Sequence, residues 1–333
     1  MSKLFSINTF SFIIKSKYIK IIKSVEKLKK IILKYNISKY NSIILGDCSN
    51  TIFLENFNGF ILLNRIFGIK KYNYKKKWIL HVNSGEKWYK LVKFSLKNNI
   101  YGLENLYNIP GRVGSAPVNN IGAYGVELKN FCKYVYVINI NNLKIYKLNN
   151  KECNFKYRDS IFKNNNYIII SIVLELYKKW KPILYKNIFN NININILVPN
   201  LISNIIYKNR KKNIPDYNII GNSGSFFKNF LVSYNYIKKY NNIPYIKYNN
   251  NLCKISTNWI INNSFNKNLK IGNISMFNRN KIILVNYNKF EPRNLIIIIR
   301  IIKKIIKNKF SLKLINEVFL IKNNLINKNK WLK

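Results

Sequence analysis

The sequence predicts an α+β fold arranged in two lobes. Three observations carry that reading. Strand-like and amphipathic helical segments alternate through the first half of the chain, composition shifts near residue 178, and a long apolar-faced helix lies near the C-terminus. A chain of 333 residues with 48% hydrophobic content can bury a core in each lobe. The strands are expected to be short and to pair with their neighbours in sequence.

The first helix is predicted over 24–35, SVEKLKKIILKY, with Ser24 as N-cap and Val25, Leu28, Ile31 and Ile32 on one face. A strand, SIILG (42–46), runs into a polar turn, DCSNTIF (47–53). GFILLNR (59–65) and WILHVNSG (78–85) read as further strands. The second feeds a helix over 86–99, with Trp88, Leu91, Val92, Ser95 and Leu96 along one side. KYVYVINI (133–140) and LKIYKL (143–148) form a hairpin around Asn141-Asn142, and 166–177 is one long strand. Pro182 and Pro199 bracket an Asn-rich stretch over 178–200, taken as a crossover between lobes. The second lobe runs through 219–230, 246–263, the helix LIIIIRIIKKIIK (295–307) and 312–321. In that helix Leu295, Ile298, Ile299, Ile302, Ile305 and Ile306 share a face opposite the charges, which marks a core-facing helix. The last dozen residues are polar and basic and are expected to fray.

Charge is lopsided, with 58 Lys+Arg against 12 Asp+Glu and a formal net charge of +46. Such a balance can indicate a nucleic-acid partner. Here the lysines spread along the whole chain and travel with Ile, Asn, Tyr and Phe, all with AT-rich codons, so compositional drift explains them better. Cys48, Cys132, Cys153 and Cys253 show no C-x-x-C spacing, and His81 is the only histidine. These counts argue against a metal site, a disulfide framework and His-based triads. His81, inside WILHV, reads as a packed strand residue. The apolar FSFII (10–14) is followed by Lys15 and Lys17 and has no small-residue cleavage site, and the 295–307 helix is too short and too charged to cross a bilayer. A cytoplasmic location without a membrane partner is expected.

Four stretches could carry chemistry. Gly102, Gly111, Gly114, Gly122 and Gly125 fall within GLENLYNIPGRVGSAPVNNIGAYGVEL (102–128), although the whole chain has only twelve glycines. Glycine belongs where backbone is approached closely or turns through positive φ. LGDCSNTIF (45–53) ends a strand in a turn whose successive N–H groups can form an anion nest, although an ordinary turn reads the same way. YRDSIFK (157–163) sets Arg, Asp, Ser and Lys among aromatic and aliphatic residues. GNSGSFFKN (221–229) frees the backbone around Ser225 and sets Phe226 and Phe227 beside it.

Taken in order, these stretches resemble the UDP-N-acetylenolpyruvoylglucosamine reductase family over nearly the full length, from NTF (8–10) to Glu317-Val318. The Tyr185 segment resembles the longer form, which carries a tyrosine loop over the substrate. The resemblance implies a vanillyl-alcohol-oxidase-type (PCMH) FAD-binding lobe of two α+β halves over 1–177, split near residue 68. It further implies a crossover with the tyrosine loop over 178–210 and a smaller α+β substrate-binding lobe over 211–333. It implies non-covalent FAD, NADPH as reductant and UDP-N-acetylglucosamine enolpyruvate as substrate, reduced to UDP-N-acetylmuramate for peptidoglycan synthesis by a monomer. Hydride would pass from flavin N5 to C3 of the enolpyruvyl group. Arg158 would stabilise the developing enediolate, Glu317 would orient or share a proton with it, and Ser225 would protonate C2. Gly46, Ser49, Asn50, Asn120, Ile121, Gly122, Ala123, Tyr124 and Gly125 match the FAD cradle. Tyr185, Arg210, Lys228 and Asn229 match the positions that hold the sugar nucleotide.

Chemistry supports those roles. A guanidinium stays charged and pairs with a carboxylate through two N–H groups. A hydroxyl can protonate a carbanion-like carbon at hydrogen-bond distance, a contribution of about 10²–10⁴ in rate. The sequence also departs from the family pattern. Cys48 replaces a glycine, Asn213 stands where a lysine is usual with Lys212 next door, Ile315-Asn316 replace Glu-Pro, and Thr257-Asn258 replace small residues before Trp259. The alternative is a basic nucleic-acid-binding protein on a degenerate flavoenzyme scaffold, with Tyr and Phe stacking on bases.

Overall fold

A computed structural model of the chain describes residues 3–37, 41–163, 166–189, 196–240 and 242–323. Most of the expected frayed tail lies outside the described residues.

The first sheet uses β1 (Lys3–Phe5), β2 (Ile14–Ile22), β3 (Ser42–Leu45) and β5 (Phe57–Asn64), in the order β1-β2-β5-β3. Helix α1 (Val25–Lys34) separates β2 from β3, and β4 (Thr51–Phe53) follows the polar turn. Ser24 caps α1, its hydroxyl accepting from Lys27 N at 3.1 Å, and Leu28, Ile31 and Ile32 are buried. β2 and β3 both run parallel to β5, so the expectation of purely local pairing fails here. The reason is that α1 carries the chain across between them. Strand β2 itself went unread because its lysines interrupt the apolar run. In the sheet, Ile14 and Ser16 point in while Lys15 and Lys17 point out, which is simple strand alternation.

The second sheet is antiparallel, ordered β11-β10-β12-β7-β6. Its strands are β6 (Ile69–Asn73), β7 (Lys77–Asn83), β10 (Cys132–Asn139), β11 (Ile145–Asn149) and β12 (Tyr167–Tyr177). Helix α2 (Trp88–Lys97) packs on it through Trp88, Leu91, Val92 and Ser95. Trp88 is buried and donates through Nε1 to the Leu106 carbonyl at 3.0 Å, which fastens the glycine-rich stretch to α2. Between them, β8 (Gly122–Ala123) and β9 (Val126–Glu127) make a tiny hairpin. Ile22, Leu28 and Phe60 share a core with Ile138, Ile140, Ile168 and Ile170, which joins the two sheets. His81 is half-buried on β7, stacks on Tyr136 and hydrogen-bonds the Ser171 hydroxyl at 2.8 Å.

The crossover contains α3 (Lys186–Phe189) and α4 (Pro199–Asn213), with proline in the first turn of α4. Next come β13 (Gly221–Ser225), β14 (Phe230–Ser233), α5 (Tyr234–Lys239), β15 (Tyr245–Lys247) and β16 (Leu252–Ile255). They are followed by α6 (Thr257–Asn262), β17 (Lys270–Ile271), β18 (Ile274–Phe277), β19 (Asn280–Asn286) and α7 (Pro292–Phe310). Two sheets result, β13-β19-β18-β17 and β14-β16-β15. Helix α7 buries Leu295, Ile298, Ile299, Ile302, Ile306 and Phe310, the face read from its spacing. Each such side chain contributes about 1.5–3 kcal/mol relative to exposure. The last strand, β20 (Phe319–Ile321), pairs in parallel with β4 in the register Phe319↔Thr51, returning the C-terminal segment to the polar turn. One apolar core contains Phe10, Phe12 and Phe53 together with Phe226, Leu295 and Ile321.

Candidate active site

Three segments far apart in sequence meet at Arg158. Its Nε lies 2.9 Å from Glu317 Oε1, and its Nη2 donates to the Gly122 carbonyl at 2.7 Å. Its own carbonyl accepts from Lys163 Nζ and, at 3.3 Å, from Lys228 Nζ. Arg158 sits at φ 52°, a left-handed conformation for a residue with a side chain. Such strain persists only where the surroundings over-determine it, and here those bonds do so. The Asn229 N–H donates to the Tyr157 hydroxyl at 3.3 Å, so residues 157–158 are tied to 228–229 at two points.

Ser225 ends β13, after Gly224 at φ 67°, with its side chain exposed. The next residue fixes its surroundings. Phe226 N–H donates to Ile282 O at 3.0 Å, and Phe226 O accepts the Glu317 N–H at 2.8 Å. Phe226 and Phe227 are fully buried behind it. Asn50 Nδ2 donates to the Glu317 carbonyl at 3.1 Å, and Phe319 N–H donates to Asn50 O at 3.0 Å. The β4–β20 pairing therefore delivers Glu317 to both the polar turn and Arg158.

The electrostatics are cationic. Burial works against the charge of Arg158, but Glu317, Tyr157 and Glu127 outweigh it and raise its pKa. Burial lowers Lys163, with Lys228 adding to the effect, and lowers Lys254, with Arg158 adding to it. Burial also lowers Arg210 on α4, and no hydrogen-bond partner is found for its buried Nε among the described residues. Tyr157 is pushed up to about 12 by burial, and Lys254 Nζ stands 4.9 Å from its ring centre. Arg158, Lys163, Lys228, Lys254 and Arg210 outnumber Glu317, Glu127 and Asp159 here. A surplus of half-buried positive charge calls for an anionic ligand.

The glycine-rich side is built differently. A cavity of about 40 Å³ lies between the first two sheets, lined by Gly46, Asn64, Ser84, Arg112, Gly114 and Ser115 among others. Gly114 is required by close approach, since a Cβ there would fall 2.6 Å from Ser84 Cβ. At Gly122 a Cβ would meet Val126 O at 2.8 Å and Arg158 Nη1 at 3.2 Å. Tyr124 and Gly125 turn the β8–β9 hairpin at φ 49° and 83°. Ile121 is bonded on both sides, its N–H to Ala116 O and its carbonyl to Leu128 N–H. Asn120 is fully buried, and its amide is engaged inside the chain by Glu127 at 2.8 Å, Lys156 O at 3.1 Å and Lys129 N at 3.0 Å. Its side chain is thus a bracket for this loop.

Several residues of this side were not singled out from sequence. Asp47 pairs with Arg112 Nε at 2.6 Å and Arg65 Nη2 at 3.3 Å, and Arg65 Nη1 donates to the Gly46 carbonyl at 2.9 Å. An arginine inside the glycine window was the available signal. Cys48 adopts φ 53°, so a residue with a Cβ does occupy the left-handed site expected of glycine. Its side chain is buried and the thiol donates to Thr51 O at 3.2 Å, while burial holds the thiol pKa far up. The diphosphate and ring system of FAD suit this place. Gly46, Gly111 and Gly114 leave no Cβ in the way, Ser49 Oγ lies 2.9 Å from where a Gly111 Cβ would stand, and two arginines face one aspartate.

Other departures also acquire contacts. Thr257 N–H donates to Asn229 Oδ1 at 3.0 Å and Thr257 Oγ1 to Lys228 O at 2.6 Å, fastening the cationic segment from behind. Asn213 turns back on Asn209, donating to its carbonyl at 2.9 Å. Phe227 bridges Asn316 and Lys228 N–H donates to Ile315 O at 2.9 Å, so the altered pair still holds Glu317 in register. Tyr185 lies edge-on to Tyr124, with ring centres 6.1 Å apart. Among the described residues no group of three or more His, Cys, Asp or Glu could hold a metal ion, and no helix is long and apolar enough to cross a membrane.

Comparison with known proteins gives the family and the fold. Residues 16–148 match the FAD binding domain family, and residues 215–321 match the family described as UDP-N-acetylenolpyruvoylglucosamine reductase, C-terminal domain. The chain is 42% identical to the UDP-N-acetylenolpyruvoylglucosamine reductase of Buchnera aphidicola subsp. Schizaphis graminum, covering 94% of this chain and 93% of the relative. It is 38% identical to that of Photorhabdus laumondii, covering 96% and 95%. Among solved structures, a UDP-N-acetylenolpyruvylglucosamine reductase from Thermus caldophilus shares the fold, with a TM-score of 0.64, 17% identity and coverage of 97% of this chain and 100% of that one.

Proposed function

The chain belongs to the UDP-N-acetylenolpyruvoylglucosamine reductase family, and from that premise we propose a specific division of labour among its residues. It is an FAD-dependent oxidoreductase, a UDP-N-acetylmuramate dehydrogenase. It reduces UDP-N-acetylglucosamine enolpyruvate with NADPH in peptidoglycan precursor synthesis. The observation that carries this reading is the half-buried Arg158–Glu317 pair, backbone-linked to the Ser225 segment, in a site with more cations than carboxylates.

FAD held in this cradle would supply, when bound, the hydride for C3 of the enolpyruvyl group, drawn from NADPH. Arg158 holds the negative charge that develops on the substrate carboxylate, and its half-buried, pre-paired guanidinium needs little reorganisation to do so. Glu317 orients Arg158 and the enediolate. Ser225 gives the proton to C2. Arg210, with its orphaned Nε, Lys228 and Asn229 hold the uridine diphosphate, and Tyr185 covers it. Gly46, Ser49, Asn50, Asn120, Ile121, Gly122, Ala123, Tyr124 and Gly125 form the non-covalent FAD cradle, Asn120 through its backbone. Residues 1–177 serve the cofactor, 178–210 carry the tyrosine loop and 211–333 serve the substrate. The enzyme works as a cytoplasmic monomer.

The test is spectral. Purified protein is expected to be yellow, absorbing at about 450 nm as oxidised flavins do. Under anaerobic conditions NADPH should bleach it, and UDP-N-acetylglucosamine enolpyruvate should restore the colour. Colourless protein that takes up no added FAD contradicts the reading. Colour restored by oxygen but never by the sugar nucleotide contradicts the substrate.

A further inference from the structure

Asn105 is 2% exposed and lies in the short turn Glu104–Leu106, away from the contacts that hold Arg158. Its amide nitrogen donates twice, to the Tyr124 carbonyl at 2.9 Å and to the Ile183 carbonyl at 2.8 Å. Tyr124 turns the hairpin of the glycine window, and Ile183 stands two residues before Tyr185 in the crossover. One planar amide thus bridges two segments nearly sixty residues apart, using both of its hydrogens. A hydroxyl has one hydrogen and a carboxylate has none, so among small side chains only an amide can do this.

The bridge sits where both partners need fixing. Tyr124 is held at φ 49°, a conformation that costs about 1 kcal/mol or more without support. A Cβ on Gly125 would stand 3.7 Å from Ile183 Cγ2 and 3.8 Å from Tyr185 Cδ2, so the crossover lies directly on the hairpin. The neighbouring Glu104, equally buried, adds a parallel tie. Its carboxylate accepts from Trp180 Nε1 at 2.5 Å and from Gly102 N–H at 2.7 Å. Tyr107, Tyr124, Trp180 and Tyr185 then pack with Ile202 and Ile206 of α4, the helix that bears Arg210.

We propose that Asn105 is a positioning residue that sets the Tyr185 segment, and through it the substrate end of the site, in register with the flavin-side hairpin at Tyr124. The proposal rests on the functional reading above, in that Tyr185 is taken to cover the sugar nucleotide. Its effect is expected first on the capture of substrate, since Arg158 and Ser225 are held by other contacts, and any loosening of Tyr124 on the flavin side is read separately as flavin content.

The experiment compares the full-length, FAD-loaded wild type with Asn105→Leu, Tyr185→Ala and the double variant. Asn105→Leu should raise KM for UDP-N-acetylglucosamine enolpyruvate roughly tenfold, the loss expected for a buried hydrogen bond, with kcat changed less than about threefold. Tyr185→Ala should do likewise, and the double variant should be no worse than the worse single one. Amide hydrogen exchange across 180–189 should quicken about tenfold in Asn105→Leu. Multiplying effects in the double variant, or unchanged exchange in Asn105→Leu, would overturn the proposal. If Asn105→Leu does not fold, Asn105→Ser replaces it, keeping one donor and predicting a smaller shift of the same kind. A wild type that binds FAD but ignores the sugar nucleotide would sink the functional reading, while the exchange rates would still decide the bridge.

Discussion

Around the Tyr124–Gly125 hairpin and the polar turn, polar groups close on one another; around Arg158 and Arg210, cations outnumber carboxylates. Asn120 spends its amide on Glu127, Lys156 and Lys129, and Asp47 is shared by Arg65 and Arg112. By contrast, half-buried Arg210 has no hydrogen-bond partner for its Nε among the described residues, and burial lowers the pKa of Lys163 and of Lys254. The first region gets its shape from backbone and from the absence of Cβ atoms. The second is dominated by unbalanced positive charge, which favours an anionic ligand. A rigid, internally satisfied cradle suits a cofactor that stays through many turnovers. A region short of negative charge suits a substrate that must be drawn in and released.

Steric perturbation should therefore damage the first region most. Gly114→Ala sets a methyl 2.6 Å from Ser84 Cβ and 3.1 Å from Ser84 O, against the backbone that follows β7. Overpacking of that kind costs about 1–3 kcal/mol. Thermal unfolding should show the loss, and FAD titration should show weaker binding. Unchanged stability and full flavin content would mean that this side is more pliable than its contacts indicate.

A smaller effect sharpens the same contrast. Cys48→Gly would relieve the left-handed backbone at φ 53° but lose a buried side chain. The two effects are each of the order of 1 kcal/mol and oppose one another. Denaturant unfolding should move by less than about 1 kcal/mol, with FAD affinity within about twofold. A large gain in FAD affinity would show that Cys48 strain loosens the cradle.

The periodic elements were legible in the sequence. The buried face of α7 and the long β12 strand follow from spacing alone. The two glycine stretches pointed to the segments that converge. The parallel pairing of β2 with β5 was not legible, because lysines on its outer face broke the apolar run and because pairing across a helix leaves no local mark. Helix α4 was hidden by the Asn-rich composition before it. The Asp47–Arg112–Arg65 cluster and the Asn105 bridge depend on contacts between segments tens of residues apart, where no spacing rule reaches. Thr257, a departure from the family pattern, fastens Lys228 and Asn229.

The most direct measurement separates the two half-reactions of Ser225→Ala. If the substrate side works as described, NADPH should still bleach the flavin at close to the wild-type rate. Reoxidation by UDP-N-acetylglucosamine enolpyruvate should fall by about 10²–10⁴, the range for loss of a general acid. An equal fall in both half-reactions, or none in the second, would contradict the assignment of Ser225 as the proton donor.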